Sequence, residues 1–156
     1  MKITLLAVGT KMPQWVSQGY HEYAKRLPKN CTLRLQELAA AKRSKTGKKA
    51  IWQAEEGTRI LSAITEAQYV VALEVNGRAW STEQLAQNMT QWFQSGKDVT
   101  LIVGGADGLS TACRQRADAL WSLSPLTLPH PIVRVIIAEQ LYRAWSLLSH
   151  HPYHRA

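Results

Sequence analysis

The stretch Val99-Thr100-Leu101-Ile102-Val103-Gly104-Gly105-Ala106-Asp107-Gly108-Leu109-Ser110 decides the fold. Its first five residues form an apolar run of strand length, and such a run belongs to a strand covered on both faces. Gly104 and Gly105 end it, and Ser110 is placed to cap a short helix to about Ala117. Strand, glycine loop and helix make half of a βαβ unit, and the pattern recurs outward. Upstream, residues 3–8 are an apolar run ended by Gly9. A helix is expected over 13–27, with Trp15, Gly19, Tyr23 and Leu27 near one face and Pro28 as its stop. Residues 32–38 have strand length, 50–64 have helical spacing, and 69–75 read as a strand ended by a turn at Asn76-Gly77. Ser81 with Gln84 forms a capping box that opens a helix to about Gln94, closed by Gly96. Downstream, 120–128 is strand-like and 132–148 is a long helix. The expectation is an α/β fold: a parallel sheet with helices on both faces. With 156 residues, no internal repeat and no linker, the whole of 1–156 reads as one domain.

Two cysteines, Cys31 and Cys113, are too few for a disulfide framework. Met1 and Lys2 lead straight into the apolar residues 3–8, too short a segment for a secretion signal. Ordinary thiols in a reducing cytoplasm are therefore expected. No membrane span is expected, because Arg134, Glu139 and Arg143 interrupt the longest apolar helix.

The net charge is +8, and residues 1–50 alone hold 11 basic against 2 acidic side chains. The densest cluster is Lys42, Arg43, Lys45, Lys48 and Lys49, interleaved with Ser44, Thr46 and Gly47. Its composition suits a flexible loop that is either a solvated charge run or a polyanion contact.

Ligands of open parallel sheets bind beyond the carboxyl ends of the strands, so the loops after 75, 103 and 128 are the places to search. Gly104-Gly105-Ala106-Asp107-Gly108 brings three glycines within five residues, as either a tight turn or a backbone surface for a ligand. It matches neither a P-loop nor a dinucleotide fingerprint. Gly108-Leu109-Ser110-Thr111-Ala112 resembles a nucleophile elbow but lacks the second glycine, and Ser110 suits an N-cap better. His150, His151 and His154 have no nearby carboxylate or cysteine to complete a metal site, and Cys113 has no evident activating partner.

Two features exceed what a plain fold requires. Leu128-Pro129-His130-Pro131 holds a histidine between two fixed φ angles before the last helix. That helix is apolar almost all round, which suggests burial against a second copy. The tail that follows, His150-His151-Pro152-Tyr153-His154-Arg155, carries rings and donors suited either to docking the terminus or to holding an unstacked RNA base. A non-catalytic RNA-binding module and a small-molecule enzyme both remain open on these observations.

Met1-Lys2-Ile3 through Val8-Gly9, Val103-Gly104-Gly105 with Gly108-Leu109, Leu126-Thr127-Leu128-Pro129-His130, Arg134-Val135 with Glu139-Gln140-Leu141-Tyr142-Arg143-Ala144, and Pro152-Tyr153-His154-Arg155 together resemble the RlmH family. These are SPOUT-class methyltransferases that modify N3 of a pseudouridine in large-subunit (23S) ribosomal RNA. The resemblance runs the length of the chain.

The resemblance implies a homodimer with a C-terminal trefoil knot, which periodicity could not reveal because knots are nearly absent among folds. It implies S-adenosylmethionine as methyl donor, with no metal, held by Leu73, by Gly104 and by Leu123, Ser124, Pro125, Leu126, Thr127 and Leu128. His154 and His130 are candidate proton acceptors or orienting groups. Arg134 is a candidate for stabilising charge on the pyrimidine oxygens, and Tyr153 a candidate stacking partner. The implied partners are 23S rRNA, expected on the assembled ribosome, and a second copy of the chain.

Overall fold

The computed structural model describes residues 1–155. Five parallel strands, β1 (Lys2–Val8), β2 (Thr32–Leu38), β3 (Tyr69–Ala79), β4 (Val99–Val103) and β5 (Ala119–Ser122), form one sheet in the order β2-β1-β4-β3-β5. The helices are α1 (Gln14–Ala24), α2 (Lys49–Ser62), α3 (Thr82–Ser95), α4 (Thr111–Arg116) and α5 (His130–Leu148). A single 3-10 turn at Pro152–His154 follows.

Strand alternation divides the interior into two layers. Ile3, Leu5 and Ala7 of β1, with Val99, Leu101 and Val103 of β4, face the side covered by α1, α3 and α5. Leu6 and Val8 of β1 and Ile102 of β4 face the opposite side, where Ile60 of α2 and Cys113 of α4 cover them. A parallel sheet with helices on both faces is therefore what the residues build. α5 lies against both α1 and α3 of its own chain, so much of its apolar surface is covered without a second copy. Gly19 of α1 permits the approach, since a side-chain carbon there would sit 3.3 Å from Val135.

Local signals explain the helix ends. Ser81 and Gln84 exchange both capping-box hydrogen bonds, and Gly96 ends α3 in the left-handed region at φ 70°. Pro129 caps α5, so the helix begins at His130 rather than at Ile132.

Two sequence expectations need correction. Asn76-Gly77 does not close a turn: β3 continues to Ala79, with a register shift between Leu73 and Arg78 where it pairs with β5. Gly77 is there for close backbone approach, because a side-chain carbon would lie 2.7 Å from the Leu120 carbonyl carbon. The strand-like stretch 120–128 is a strand only to Ser122. Beyond it Ser122 Oγ donates to the Ser124 carbonyl at 3.1 Å and the Leu126 amide donates to Ser124 Oγ at 3.0 Å. These local side-chain bonds replace a ladder, and Pro125 has no amide to offer one.

Candidate active site

The middle of β3 and the carboxyl ends of β4 and β5 border a cavity of about 630 Å³, within the size range of small-molecule sites. Its walls are Leu73 to Val75 in the middle of β3, where its pairing with β5 shifts register, the glycine loop apart from Asp107, and the 123–129 segment, with His130 and Val133 of α5 closing one side. Leu73, Gly104, Leu123, Ser124, Leu126, Thr127 and Leu128 are thus brought together around one space; among the run 123–128, Pro125 is not on the wall. Leu126 is 70% exposed and forms the open lip. Glu74, Trp121 and Val133 also line the cavity and were not singled out from sequence. Trp121 packs flat on Trp80, ring centres 4.9 Å apart, and so presents a rigid wall.

The glycine loop keeps its shape through its own backbone. The Gly108 amide donates to the Gly105 carbonyl at 3.0 Å, and Gly108 has φ 76°. At Gly104 a side-chain carbon would lie 2.6 Å from the Gly108 carbonyl carbon, so Gly104 is required by the fold of the loop as well as by the cavity. Ser110 Oγ accepts from the Cys113 amide at 3.2 Å as the N-cap of α4, not as a nucleophile at a turn. The Cys113 thiol is buried, and burial pushes its pKa up, which disfavours the thiolate.

Behind the glycine loop lies a polar layer. Arg134 is only 1% exposed; its guanidinium donates to Glu37 Oε2 at 2.6 Å and to the Gly9 carbonyl at 2.8 Å. Arg134 does not line the cavity in this chain and is held by these two partners. It ties the end of β2 and the loop after β1 to α5 beside His130. Glu56 of α2 is 2% exposed; its Oε2 accepts from the Ala41 amide at 2.9 Å, and its Oε1 has no partner among the described residues. His130 Nδ1 is likewise buried without a partner among them. Burial first, and then the Arg134 charge, hold the His130 imidazole below its ordinary pKa, with the Glu56 carboxylate opposing them. The imidazole at the cavity wall is consequently neutral at neutral pH and able to accept a proton.

The tail lies elsewhere. Tyr153 donates its hydroxyl to Glu139 Oε1 at 3.0 Å, rests against the Tyr142 ring at 4.6 Å, and has the Arg143 guanidinium 5.0 Å above its ring. Burial and the hydrogen bond to Glu139 push the Tyr153 phenol up to about 12. Neither Tyr153 nor His154 lines the cavity of its own chain. Among the described residues, no group of three or more His, Cys, Asp or Glu side chains is placed to hold a metal ion, and no helix is long and apolar enough to cross a membrane.

Whether this cavity suits a nucleoside-bearing cofactor is decided by its lining. Leucines at 73, 123, 126 and 128 supply faces for a flat ring, and the backbone of the glycine loop and of 123–128 supplies hydrogen-bonding groups for its edge. The residues present therefore fit S-adenosylmethionine.

Comparison with known proteins agrees. A family model described as "Predicted SPOUT methyltransferase" matches residues 1–154. A protein of Hahella chejuensis named "Ribosomal RNA large subunit methyltransferase H" is 57% identical over 155 residues, covering 99% of both chains. One of the same name from Methylococcus capsulatus is 53% identical over 155 residues, covering 99% of this chain and 100% of its own. Among solved structures, a probable methylase family protein from Haemophilus influenzae Rd KW20 superposes with a TM-score of 0.58 at 9% identity, covering 99% of this chain and 70% of that one, which shows likeness of fold. Joined to the glycine loop and the cavity at the strand ends, the match over nearly every residue makes this chain a member of the SPOUT methyltransferase family.

Proposed function

We propose that this methyltransferase, one catalytic domain over 1–156, transfers a methyl group from S-adenosylmethionine to N3 of a pseudouridine in 23S ribosomal RNA. The observation that carries the reading is the leucine- and glycine-walled cavity beside the middle of β3 and the end of β4, with His130 on its wall. The names of the relatives support the large-subunit substrate. The setting is the cytoplasm, and the substrate is the assembled ribosome.

The cofactor, when bound, supplies an electrophilic methyl group. Leu73, Gly104 and the 123–128 segment hold it, and the leucines exclude water from the bond being made. His130 orients the pyrimidine or accepts the N3 proton, which must leave for nitrogen to act as nucleophile. Within one chain Tyr153 and His154 are stowed against α5, away from the cavity. We therefore place the working tail across a homodimer, where it reaches the partner's cavity to stack on the base and assist the proton. The same reading includes the trefoil threading of the C-terminal part.

Calorimetry with S-adenosylmethionine, followed by mass spectrometry of rRNA incubated as naked RNA, as subunits and as whole ribosomes, tests this directly. Cofactor binding and one added methyl on a pseudouridine are expected, with whole ribosomes the best substrate. A protein that binds no cofactor would overturn the reading.

A further inference from the structure

The cationic segment between β2 and α2 does not hang free of the cofactor cavity. Ala41 is buried, and its amide is held by the buried Glu56 carboxylate. Arg43 is exposed like lysines 42, 45, 48 and 49 around it, but its guanidinium reaches across to the glycine loop. It pairs with Asp107 at 2.5 Å and lies over the Trp52 ring at 5.4 Å. Gly47 closes the segment over the same indole, where a side-chain carbon would sit 2.8 Å from the ring nitrogen. The segment is thereby fastened at positions 41, 43 and 47, with its lysines outward.

Asp107 belongs to the glycine loop, whose inner side is the cavity wall. The outer side is held by Arg43, by the Gln53 amide donating to the carbonyls of Asp107 at 2.8 Å and Leu109 at 3.0 Å, and by Arg114 on the Leu109 carbonyl at 2.6 Å. A loop with three glycines in five residues has little conformational preference of its own. Beyond its internal Gly108–Gly105 hydrogen bond, it is braced by these outside bonds, one of which belongs to the cationic segment.

We propose that the Arg43–Asp107 pair couples the two ligands of the proposed reaction: RNA phosphates on Lys42, Lys45 and Lys48 order the segment, hold Arg43 on Asp107, and so favour the cofactor-binding form of the glycine loop. The inference rests on the reading of RNA as substrate. Linkage makes the effect reciprocal, so cofactor must tighten RNA binding by the factor with which RNA tightens cofactor binding. The coupling is one of ordering, since whichever ligand binds first removes the conformational freedom the second must otherwise remove. Arg43 and Asp107 are positioning residues, acting on both ligands through the loop.

The test is calorimetry of S-adenosylmethionine on the full chain, with and without saturating poly(U) RNA at low salt. The wild type is expected to bind cofactor about tenfold more tightly with RNA present, within the usual range of such couplings. In Arg43→Gln and in Asp107→Asn the ratio should fall to about one, and the charge-swapped pair Arg43→Asp with Asp107→Arg should restore part of it. A merely structural role would weaken cofactor binding equally with and without RNA and leave the ratio unchanged. Wild-type protein that binds both ligands without coupling overturns the inference and leaves the RNA reading standing, as does an Arg43→Gln variant that keeps the full ratio. A swapped pair with a ratio of one also overturns it. Protein that binds cofactor but no RNA at any salt overturns the RNA reading and this inference together.

Discussion

Gly104 shows how a residue chosen for one reason serves another. Blocking a ligand-facing backbone would leave the rest of the protein untouched, yet the space a side chain needs there is filled by the Gly108 and Leu109 backbone of the same loop. Gly104→Val should therefore abolish S-adenosylmethionine binding by calorimetry and also lower the melting temperature by roughly 4–8 °C, corresponding to about 2 kcal/mol of strain. Full stability with binding abolished would mean that the loop yields freely. His130 carries a prediction of opposite character. Its folded-state pKa is held below the ordinary value of 6.5, so the unfolded chain binds the proton more readily. The stability from keeping this imidazole neutral is present above the unfolded value and lost as pH falls below it. Melting curves from about pH 8 down to about pH 5 should show wild type losing stability relative to His130→Gln below about pH 6.5, and parallel curves would refute the assignment.

At the scale of elements, the basic segment was readable as a cluster of charge but not as part of the cavity's support. Arg43 and Asp107 are 64 residues apart in the chain, and their meeting depends on how α2 crosses the sheet. The outward lysines carry the simpler prediction. Replacing Lys45, Lys48 and Lys49 by alanine should weaken RNA binding at all sequences alike. It should also flatten the log-log salt dependence by about 0.7 for each single-strand phosphate that the protein ceases to neutralise. An unchanged slope would place phosphate binding on another face. The 123–128 segment behaves in a related way. Its leucines made it resemble a strand, but they serve a cavity: Ser122, Ser124 and Pro125 turn the chain away from the ladder, and Leu126 stands exposed at the lip.

For the whole molecule, the separation of the tail from the cavity within one chain leads to a prediction about assembly. Gly104→Val with an intact tail should be mixed with a second protein truncated after His151 but with an intact cavity, and subunit exchange verified by mass spectrometry. If sites are shared across a homodimer, random assembly gives half mixed dimers, each with one working site, and methylation should recover to about a quarter of wild type. No recovery after exchange would mean that each site is built within one chain, leaving the methyltransferase assignment untouched.

What the sequence determined by itself is the layered α/β fold and most of the segments that wall the cavity. The strands β1 and β4 were legible because burial on both faces leaves a largely apolar run, the edge strand β2 only by its length, and the helices because caps such as Ser81 and Ser110 act within three residues. The cavity-lining run was marked by its resemblance to a known family. Tertiary structure alone decided the fate of the polar residues. Arg134, a candidate for stabilising charge on the pyrimidine oxygens, is buried on Glu37, 97 residues away, and on Gly9. Glu56 gave no sequence signal, although it sits behind the glycine loop with one oxygen unpaired among the described residues. The reason is physical: apolar periodicity and capping are local and repeat along the chain, whereas the partner of a buried charge is set by which distant segments the sheet order brings side by side.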